Sequence, residues 1–347
     1  QGITVLLTDW GCEPGWLRVP DIADVADPRY AAAIGTYMDH LVHRKGYDCI
    51  KYFIMVNEPN FEVRDFARWK KGVEQVMAEF GRRGLDKKVV FTGSDESADE
   101  TWHRRAVDQL HDILGAYDIH CYARKEQVRS GELLGFYRTQ WNYALEKDPA
   151  ARAKPMIVGE AGIHSDGFSA ASNPLHLDYE YGLDMADYAV QAAGAGSWAV
   201  LAWMLDDSSH KDFTWGMWRN KQGRFEPKPW FYPWSLLCRT VPAGAKVYVI
   251  EPVADLRVLA ASIDTGNGQA WTFCLVNRSG KARSVRLRVP GGKPATFRHY
   301  IYSRDKAAAD EDGLPVPVEI RSGNPAEGVE ITCPADGVGF VTSVDPQ

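Results

Sequence analysis

The sequence predicts a protein of mixed α/β class, in which a helix-covered parallel sheet precedes an antiparallel β-sandwich. Up to about residue 235, short apolar segments alternate with amphipathic segments of helical length, which is typical of parallel strands buried under helices. After Trp234, strand-like segments follow one another with turn signals between them and without a convincing helix. We place the boundary near residues 239–242 and predict two domains, 1–238 and 239–347.

Six segments of the first region have the character of buried strands. They are ITVLLT (3–8), CIKYFIMV (49–56), KVVFTG (88–93), YDIHCY (117–122), MIVGE (156–160) and SWAVLAWML (197–205). A helix is well marked between the first two, because Asp27 can cap it, Pro28 suits its first turn and Gly46 ends it. A second helix, at about 63–83, carries apolar and aromatic residues at helical spacing.

The second region alternates at the period of exposed strands. In SVRLRV (284–289), apolar residues occupy one face and Ser or Arg the other. LRVLAASI and AWTFCLV flank the stretch from Asp264 to Gly268, whose Asn-Gly pair is a strong hairpin signal. TFRHYIY and VEITCPADGVGFVTS complete the set of strands expected for the sandwich.

Composition excludes several classes of function. The net charge of −6 argues against a nucleic-acid partner, and no apolar run is long enough to predict a membrane span. The six cysteines form no C-x-x-C pair and the histidines have no tight ligand spacing, so we predict neither a metal nor a cofactor. The sequence lacks the G-x-S-x-G motif that a Ser-His-Asp hydrolase would have at its nucleophile. The chain begins with Gln1, as a processed chain does, and we expect a secreted or periplasmic protein.

Two strands of the first region end in the same way, with a glutamate two residues after the apolar run. VNEPN places Glu58 there, and VGEAG places Glu160. In parallel α/β barrels the active site lies at the carboxyl ends of the strands, so we expect the two carboxylates to face each other across one pocket. Such a pair suits glycoside hydrolysis, with retention at a separation of about 5–5.5 Å and inversion at about 6.5–9.5 Å.

The succession of VNEPN, HCY and VGEAG, each after a strand, resembles glycoside hydrolase clan A, in particular cellulase-like family 5 and its relatives in families 30 and 39. The resemblance covers nearly the whole chain. It implies a (β/α)8 TIM-type barrel and a cofactor-independent retaining β-glycosidase that acts on a β-linked oligo- or polysaccharide. It also implies Glu58 as general acid/base, Glu160 as nucleophile, and Asn57 as the partner of the sugar 2-hydroxyl.

The resemblance further assigns residues that bind or orient. Tyr122 would orient the nucleophile, His120 would contact sugar hydroxyls, and Trp203 would form an aromatic platform beneath the sugar at the cleavage site. Family 5 members often have a His after the third barrel strand. This sequence has Thr8-Asp9-Trp10-Gly11 there, and Trp10 is a candidate for stacking on a sugar.

Counting back from Glu58, the six strands correspond to strands three to eight of a barrel, so the first two are absent from this chain. An open sheet would expose apolar edges, which is a liability. We therefore expect an N-terminal portion, or another segment, to complete the barrel.

The charged residues near these strands have less specific interpretations. The acidic run Asp95, Glu96, Asp99 and Glu100 is interpreted as a solvated loop. Asp206 and Asp207 suit substrate hydroxyls and capping or salt-bridge roles equally well. For the catalytic cycle, the pKa of Glu58 must lie well above that of Glu160, with the charge of Glu160 as the natural cause.

Three alternatives remain open at the level of sequence. They are a non-catalytic carbohydrate-binding protein on the same scaffold, a transglycosylase that uses the same residues, and an inactive fragment. The sequence does not decide the sugar, the linkage, or endo versus exo action.

Overall fold

A computed structural model describes residues 2–12, 22–164, 172–208, 213–251, 253–266 and 268–345. The chain divides into two compact units. The first comprises Gln1–Tyr122, Arg138–Ala161 and Ser197–Leu201, and the second comprises Ala123–Tyr137, Gly162–Gly196 and Ala202–Gln347. No helix in the described part of the chain is both long and apolar enough to cross a bilayer.

A six-stranded sheet contains all six strands predicted for the first region, adjacent in chain order. They are β1 (Val5–Thr8), β2 (Ile50–Ile54), β3 (Val90–Ser97), β4 (Ala116–Arg124), β5 (Met156–His164) and β6 (Ala199–Ala202). The pairs β1–β2, β2–β3 and β3–β4 are parallel. The sheet buries large aromatic side chains, among them Phe53, whose ring centroid lies 5.3 Å from that of Phe80.

Helices follow the strands, as predicted. They are α1 (Pro28–Asp39), α2 (Pro59–Glu62), α3 (Phe66–Arg83), α4 (Glu100–Leu110), α5 (Lys125–Ser130), α6 (Glu132–Lys147), α7 (Tyr179–Ala195) and α8 (Phe231–Thr240). Asp27 caps α1 by accepting the Arg29 N–H at 2.9 Å. The helix predicted over 63–83 begins at Phe66 instead, because Asp65 caps it through the Ala67 and Arg68 N–H groups.

The two ends of the six-stranded sheet are β1 and β6. Apolar groups are accessible at both: β1 is half-buried throughout, and the Trp198 side chain just before β6 is 64% exposed. The barrel prediction is thus confirmed in part. The helix-covered sheet is present, and among the described residues the first two strands of an eight-stranded barrel have no counterpart. That another segment completes the sheet stays a prediction.

The remaining strands form the antiparallel region that the sequence predicts. They are β7 (Lys246–Tyr248), β8 (Leu256–Asp264), β9 (Gln269–Asn277), β10 (Arg283–Leu287), β11 (Ala295–Ser303), β12 (Lys306–Ala307), β13 (Glu319–Gly323), β14 (Val329–Cys333) and β15 (Gly337–Thr342). Seven form one sheet, and β10 pairs with β14 in a second. A shared apolar core includes Trp271, Phe273 and Ile331. The sandwich and the domain limits at 1–238 and 239–347 stay predictions.

The predicted hairpin is the β8–β9 pair, which is antiparallel from Leu256 opposite Asn277 to Asp264 opposite Gln269. Its turn is closed by the Thr265 N–H, which donates to the Gly268 carbonyl at 3.0 Å. Asn267, on which the prediction depended, lies outside the described residues.

Helix α7 belongs to the second unit and carries two buried carboxylates that face arginines of the same unit. Asp187 accepts from Arg257 Nη1 at 2.7 Å and from Arg278 Nε at 3.0 Å. Asp184 accepts from Arg278 Nη2 at 2.5 Å and from Arg129 Nε at 3.0 Å. Since removing one partner from a buried ion pair leaves an uncompensated charge, these contacts tie α7 to the antiparallel strands.

Candidate active site

The chain turns sharply at Glu58, four residues after the last residue of β2. Glu58 has φ 45° and ψ 59°, a left-handed conformation that non-glycine residues rarely adopt. Its N–H donates to Asp95 Oδ2 at 3.2 Å, and its carbonyl accepts the Phe61 N–H at 2.8 Å. Pro59 opens α2, where its fixed φ suits the helix and its missing N–H costs nothing. The Glu-Pro pair therefore starts α2 shortly after β2 and fixes the backbone from which the Glu58 carboxylate extends.

His120 of β4 lies between the two predicted glutamates. Its Nδ1 is 3.1 Å from Glu58 Oε1 and 3.6 Å from Glu160 Oε2. Its Nε2 is 3.0 Å from Asp95 Oδ1. The side chain is only 2% exposed, so these carboxylates form its polar surroundings. One histidine thus contacts three carboxyl groups from three other parts of the sheet, namely Glu58 after β2, Asp95 within β3 and Glu160 within β5.

The two glutamates are close together, although they are far apart in the sequence. One carboxylate oxygen of Glu58 and one of Glu160 lie within 4.8 Å of each other and of a ring nitrogen of His120. The Tyr122 hydroxyl donates to Glu160 Oε2 at 2.5 Å. The structure therefore brings four of the predicted site residues into one cluster, which we call the carboxylate cluster: Glu58, His120, Tyr122 and Glu160, together with Asp95.

Burial dominates the electrostatics of this cluster. It raises the pKa of Glu160 to about 7, aided by the charges of Asp95 and Glu58 and opposed by His120 and the Tyr122 hydroxyl. For His120, burial lowers the pKa, but the neighbouring carboxylates Asp95 and Glu160 outweigh it and the net pKa is well above its usual value. The sequence analysis expected the pKa of Glu58 to lie well above that of Glu160 and considered only their mutual charge. It left out the burial of Glu160, which raises the pKa of Glu160.

Asp95 and Glu96 are not in a solvated loop, and that interpretation was wrong for both. They belong to β3 and are 2% and 3% exposed. The β3–β4 register shifts between Ser94 and Glu96, which leaves Asp95 unpaired in a bulge with φ 56°. Such a bulge re-aims a side chain, here toward His120. The position of Asp95 at a strand end, level with the two glutamates, was the signal that could have identified it.

The other acidic residues of that run have a local role. Asp99 caps α4 by accepting the Thr101 and Trp102 N–H groups at 3.1 and 3.2 Å. Glu100 is in the exposed first turn of α4, where it pairs with Arg104 at 3.2 Å. For these two the interpretation as a solvated segment agrees with the structure.

A fourth carboxyl group lies close behind His120. Asp118 of β4 is fully buried, and its pKa is raised well above the usual value, first by burial and then by the charge of Asp95. Gly159 passes directly over it, since a Cβ at that position would come within 2.4 Å of Asp118 Oδ1. The glycine that precedes Glu160 thus leaves the room that this carboxyl group occupies.

By spacing alone, two groups of three side chains could hold a cation. They are Glu58, His120 and Glu160, and Asp95, Asp118 and His120. Both groups use His120, whose two ring nitrogens each face a carboxylate oxygen at hydrogen-bond distance. A metal ion would have to displace one of these hydrogen bonds.

The remaining predicted residues lie in different surroundings. Asn57 is 8% exposed, and its N–H donates to the Asp9 carbonyl at 2.9 Å. Trp10 is half-buried and lines a cavity of about 110 Å³ together with Cys12, Val56 and Arg68, none of which belongs to the carboxylate cluster. Trp203 is half-buried and follows β6, in the second unit.

Asp207 has the structural role that the sequence left open. It is buried, receives Lys228 Nζ at 2.6 Å, and accepts the Gly216 N–H at 2.9 Å. The neighbouring Asp206 forms an isolated backbone β-bridge with Trp218. The salt bridge therefore accounts for Asp207 without a substrate.

No protein-family model matches the sequence, and a search of the curated proteins finds no match. Solved structures with the same fold do exist. A GH30 endoxylanase from Clostridium papyrosolvens is 11% identical, with a TM-score of 0.63 over 92% of this chain and 71% of its own. A GH39 enzyme from Xanthomonas axonopodis is 16% identical, with a TM-score of 0.57 over 91% and 73%.

An α-L-arabinofuranosidase from Thermotoga maritima is a third similar structure, 15% identical, with a TM-score of 0.57 over 90% of this chain and 73% of its own. All three are glycoside hydrolases. At these identities the likeness shows a shared fold. The resemblance to families 30 and 39 is thereby confirmed at the level of the fold.

Proposed function

We propose that the protein is a retaining glycoside hydrolase that cleaves a β-linked oligo- or polysaccharide through a covalent glycosyl-enzyme. The observation that carries the proposal is the approach of Glu58 and Glu160 oxygens to within 4.8 Å. Retaining enzymes keep the two carboxyl groups about 5–5.5 Å apart, whereas inverting enzymes need about 6.5–9.5 Å to admit a water. The short separation favours direct attack by one carboxylate. The shared fold with glycoside hydrolases supports the same class.

In this proposal Glu160 attacks the anomeric carbon while Glu58 gives its proton to the departing oxygen. Glu58 then takes a proton from water, and that water releases the sugar from Glu160 and restores both residues. The Tyr122 hydroxyl, 2.5 Å from Glu160 Oε2, holds the nucleophile in its carboxylate form and orientation. Because both ring nitrogens of His120 face carboxylates, we assign it to holding these groups instead of the sugar.

Binding of the sugar is assigned to Asn57 and Trp203 on the basis of the sequence resemblance, and to Trp10 because it stands where family 5 members often have a His. Asn57 precedes Glu58 and would bond the sugar 2-hydroxyl, a contact that strengthens in the transition state. Trp203 would support the ring at the cleavage site, and Trp10 would stack on a sugar elsewhere. Flat aromatic faces suit the apolar faces of pyranose rings.

A trapping experiment tests the proposal directly. A 2-deoxy-2-fluoro glycoside with an activated leaving group should add one glycosyl mass to the protein, and peptide mapping should place the label on Glu160. The panel should include xylosides, arabinofuranosides, glucosides, mannosides and galactosides. Sugar binding without label or release would favour the carbohydrate-binding alternative. Inversion of the first product, seen by NMR, would contradict the retaining mechanism. Transfer to a sugar instead of water would identify a transglycosylase.

The pH dependence of kcat/KM provides a second test. Because the folded-state pKa of Glu160 is raised from 4.5 to about 7, we expect its attacking carboxylate to form only as the pH rises through about 7. The kcat/KM of the free enzyme should therefore fall on the acid side of that value. Tyr122→Phe removes a hydrogen bond that lowers this pKa, so it should move the acid limb to higher pH.

The matched control for Tyr122→Phe is Tyr143→Phe. The Tyr143 hydroxyl donates to Asp108 at 2.9 Å, and neither residue belongs to the carboxylate cluster. Its profile should superimpose on that of the wild type. An acid limb near 4.5 in the wild type would show that burial does not control Glu160.

A further inference from the structure

We propose that Asp95 is a positioning residue that holds both the proton donor and the histidine between the two glutamates. The inference rests on the proposed function for the roles of Glu58 and Glu160. Its structural basis is one carboxylate with two separate partners. Asp95 Oδ2 accepts the Glu58 N–H at 3.2 Å, and Asp95 Oδ1 lies 3.0 Å from His120 Nε2.

The first contact supports an unusual backbone conformation. Glu58 is left-handed and stands at the beginning of a helix, where its N–H has no partner within that helix. A non-glycine residue in this region costs on the order of 1–3 kcal/mol, and it persists only where its surroundings hold it. Asp95 is buried, so its hydrogen bond to this N–H is shielded from water. It fixes the point from which the Glu58 side chain extends.

The second contact helps to determine which ring nitrogens of His120 carry a hydrogen. Carboxylate oxygens accept hydrogen bonds, and so does the carbonyl oxygen of a protonated carboxyl group such as that of a proton donor. His120 faces such oxygens at both ring nitrogens, Asp95 at Nε2 and Glu58 and Glu160 at Nδ1. Both nitrogens therefore carry hydrogens, and the ring is an imidazolium. Asp95 is 2% exposed and supplies the nearest counter-charge on the Nε2 side. The positive ring then faces both glutamates.

Other ionisable groups near His120 share in this balance. Asp118 lies within 4.8 Å of both Asp95 and His120, and it is expected to hold its proton because burial and Asp95 raise its pKa. Glu96 is also buried, and its pKa is raised to about 7, mainly by burial. With Asp118 protonated, Asp95 is the carboxyl group in contact with the ring at Nε2, and the charge of Glu96 adds to it once the pH rises above about 7.

Asp95→Asn separates the two functions of this carboxylate. An amide has one acceptor oxygen, so it can serve the Glu58 N–H or His120 Nε2, and its NH2 group must face the other donor. We expect kcat/KM to fall about 100-fold, as a misplacement of about 1 Å does. We also expect His120 to lose its permanent charge, so that it titrates near neutral pH.

Asp99→Asn is the matched control. It makes the same change of charge four residues along, and Asn caps helices as well as Asp does. Asp99 caps α4 and touches neither His120 nor Glu58. This variant should keep the wild-type kcat/KM and the wild-type pH profile.

The charge on His120 is measured by 15N NMR of histidine-labelled protein, with His120→Gln used to assign its two ring signals. The wild type should show both nitrogens protonated from about pH 5 to 8, and Asp95→Asn should show a neutral ring at pH 8. A neutral His120 in the wild type at pH 7 would overturn the inference, whether or not the variant folds. So would an Asp95→Asn protein with wild-type kcat/KM and a charged ring.

The NMR measurement needs no substrate. A wild type that hydrolyses no glycoside but has a permanently charged His120 would reject the proposed function and leave the role of Asp95 intact.

Discussion

Glu160→Gln should abolish turnover, lowering kcat about 10⁴- to 10⁶-fold, as removal of a covalent nucleophile does in other enzymes. The amide keeps the size of the side chain but cannot attack the anomeric carbon. Glu160 is largely buried and its pKa is raised to about 7, so a neutral amide resembles the protonated side chain and the fold should be retained. Turnover is measured by release of a chromogenic aglycone, with circular dichroism to check the fold.

The matched control is Glu100→Gln, at an exposed residue that pairs with Arg104 at 3.2 Å. It should keep wild-type turnover. A more specific confirmation uses Glu160→Ala with added azide, which can occupy the space left by the carboxylate and attack the same carbon. The product should be the α-glycosyl azide from a β-glycoside. Near-wild-type turnover by Glu160→Gln would rule the assignment out.

Glu58→Gln should have an effect that depends on the leaving group. General acid catalysis contributes about 10²- to 10⁴-fold, so hydrolysis of an unactivated oligosaccharide should fall by at least that factor. An aryl glycoside with an acidic phenol departs without protonation, and its first step should be nearly normal. The second step, however, still needs Glu58 as base. We therefore expect a rapid burst of phenol followed by slow turnover, seen by stopped-flow absorbance.

The control for this variant is Glu74→Gln on the exposed surface of α3, where Glu74 pairs with Lys70. It should hydrolyse both kinds of substrate at the wild-type rate. Equal losses on activated and unactivated substrates in Glu58→Gln would contradict the assignment of Glu58 as the proton donor.

The sequence predicted those parts of the molecule whose cause is local. The strands of the first sheet contain short apolar runs, and Glu58 and Glu160 each stand two residues after such a run, so the strand-end rule was applied to both. The rule placed the end of β5 too early, since this strand continues past Glu160 to His164. The α1 cap was predictable because Asp27 and Pro28 stand next to each other at its start. These signals need only a few consecutive residues.

What the sequence did not predict depends on how strands are aligned. The role of Asp95 arises from a register shift between β3 and β4, and such a bulge leaves no mark in the hydrophobic pattern. The same holds for His120, whose position on a strand was predictable. Its two ring partners were not, because Asp95 belongs to β3 and Glu58 to the turn that follows β2. The raised pKa of Glu160 follows from burial in the folded protein, which the pattern of one strand does not report.

The ion pairs of helix α7 have a consequence for the order in which the second unit can form. Asp187 is synthesised well before its partners, since Arg257 follows it by 70 residues and Arg278 by 91. Arg278 follows Asp184 by 94 residues. Until then Asp187 lacks both of its arginine partners, and Asp184 has only Arg129, which precedes it in the chain. Burial of an unpaired carboxylate is costly, so we expect Asp187 to stay solvated during synthesis. The ion pairs of this unit therefore form late and over long sequence separations, and contacts of that kind slow folding.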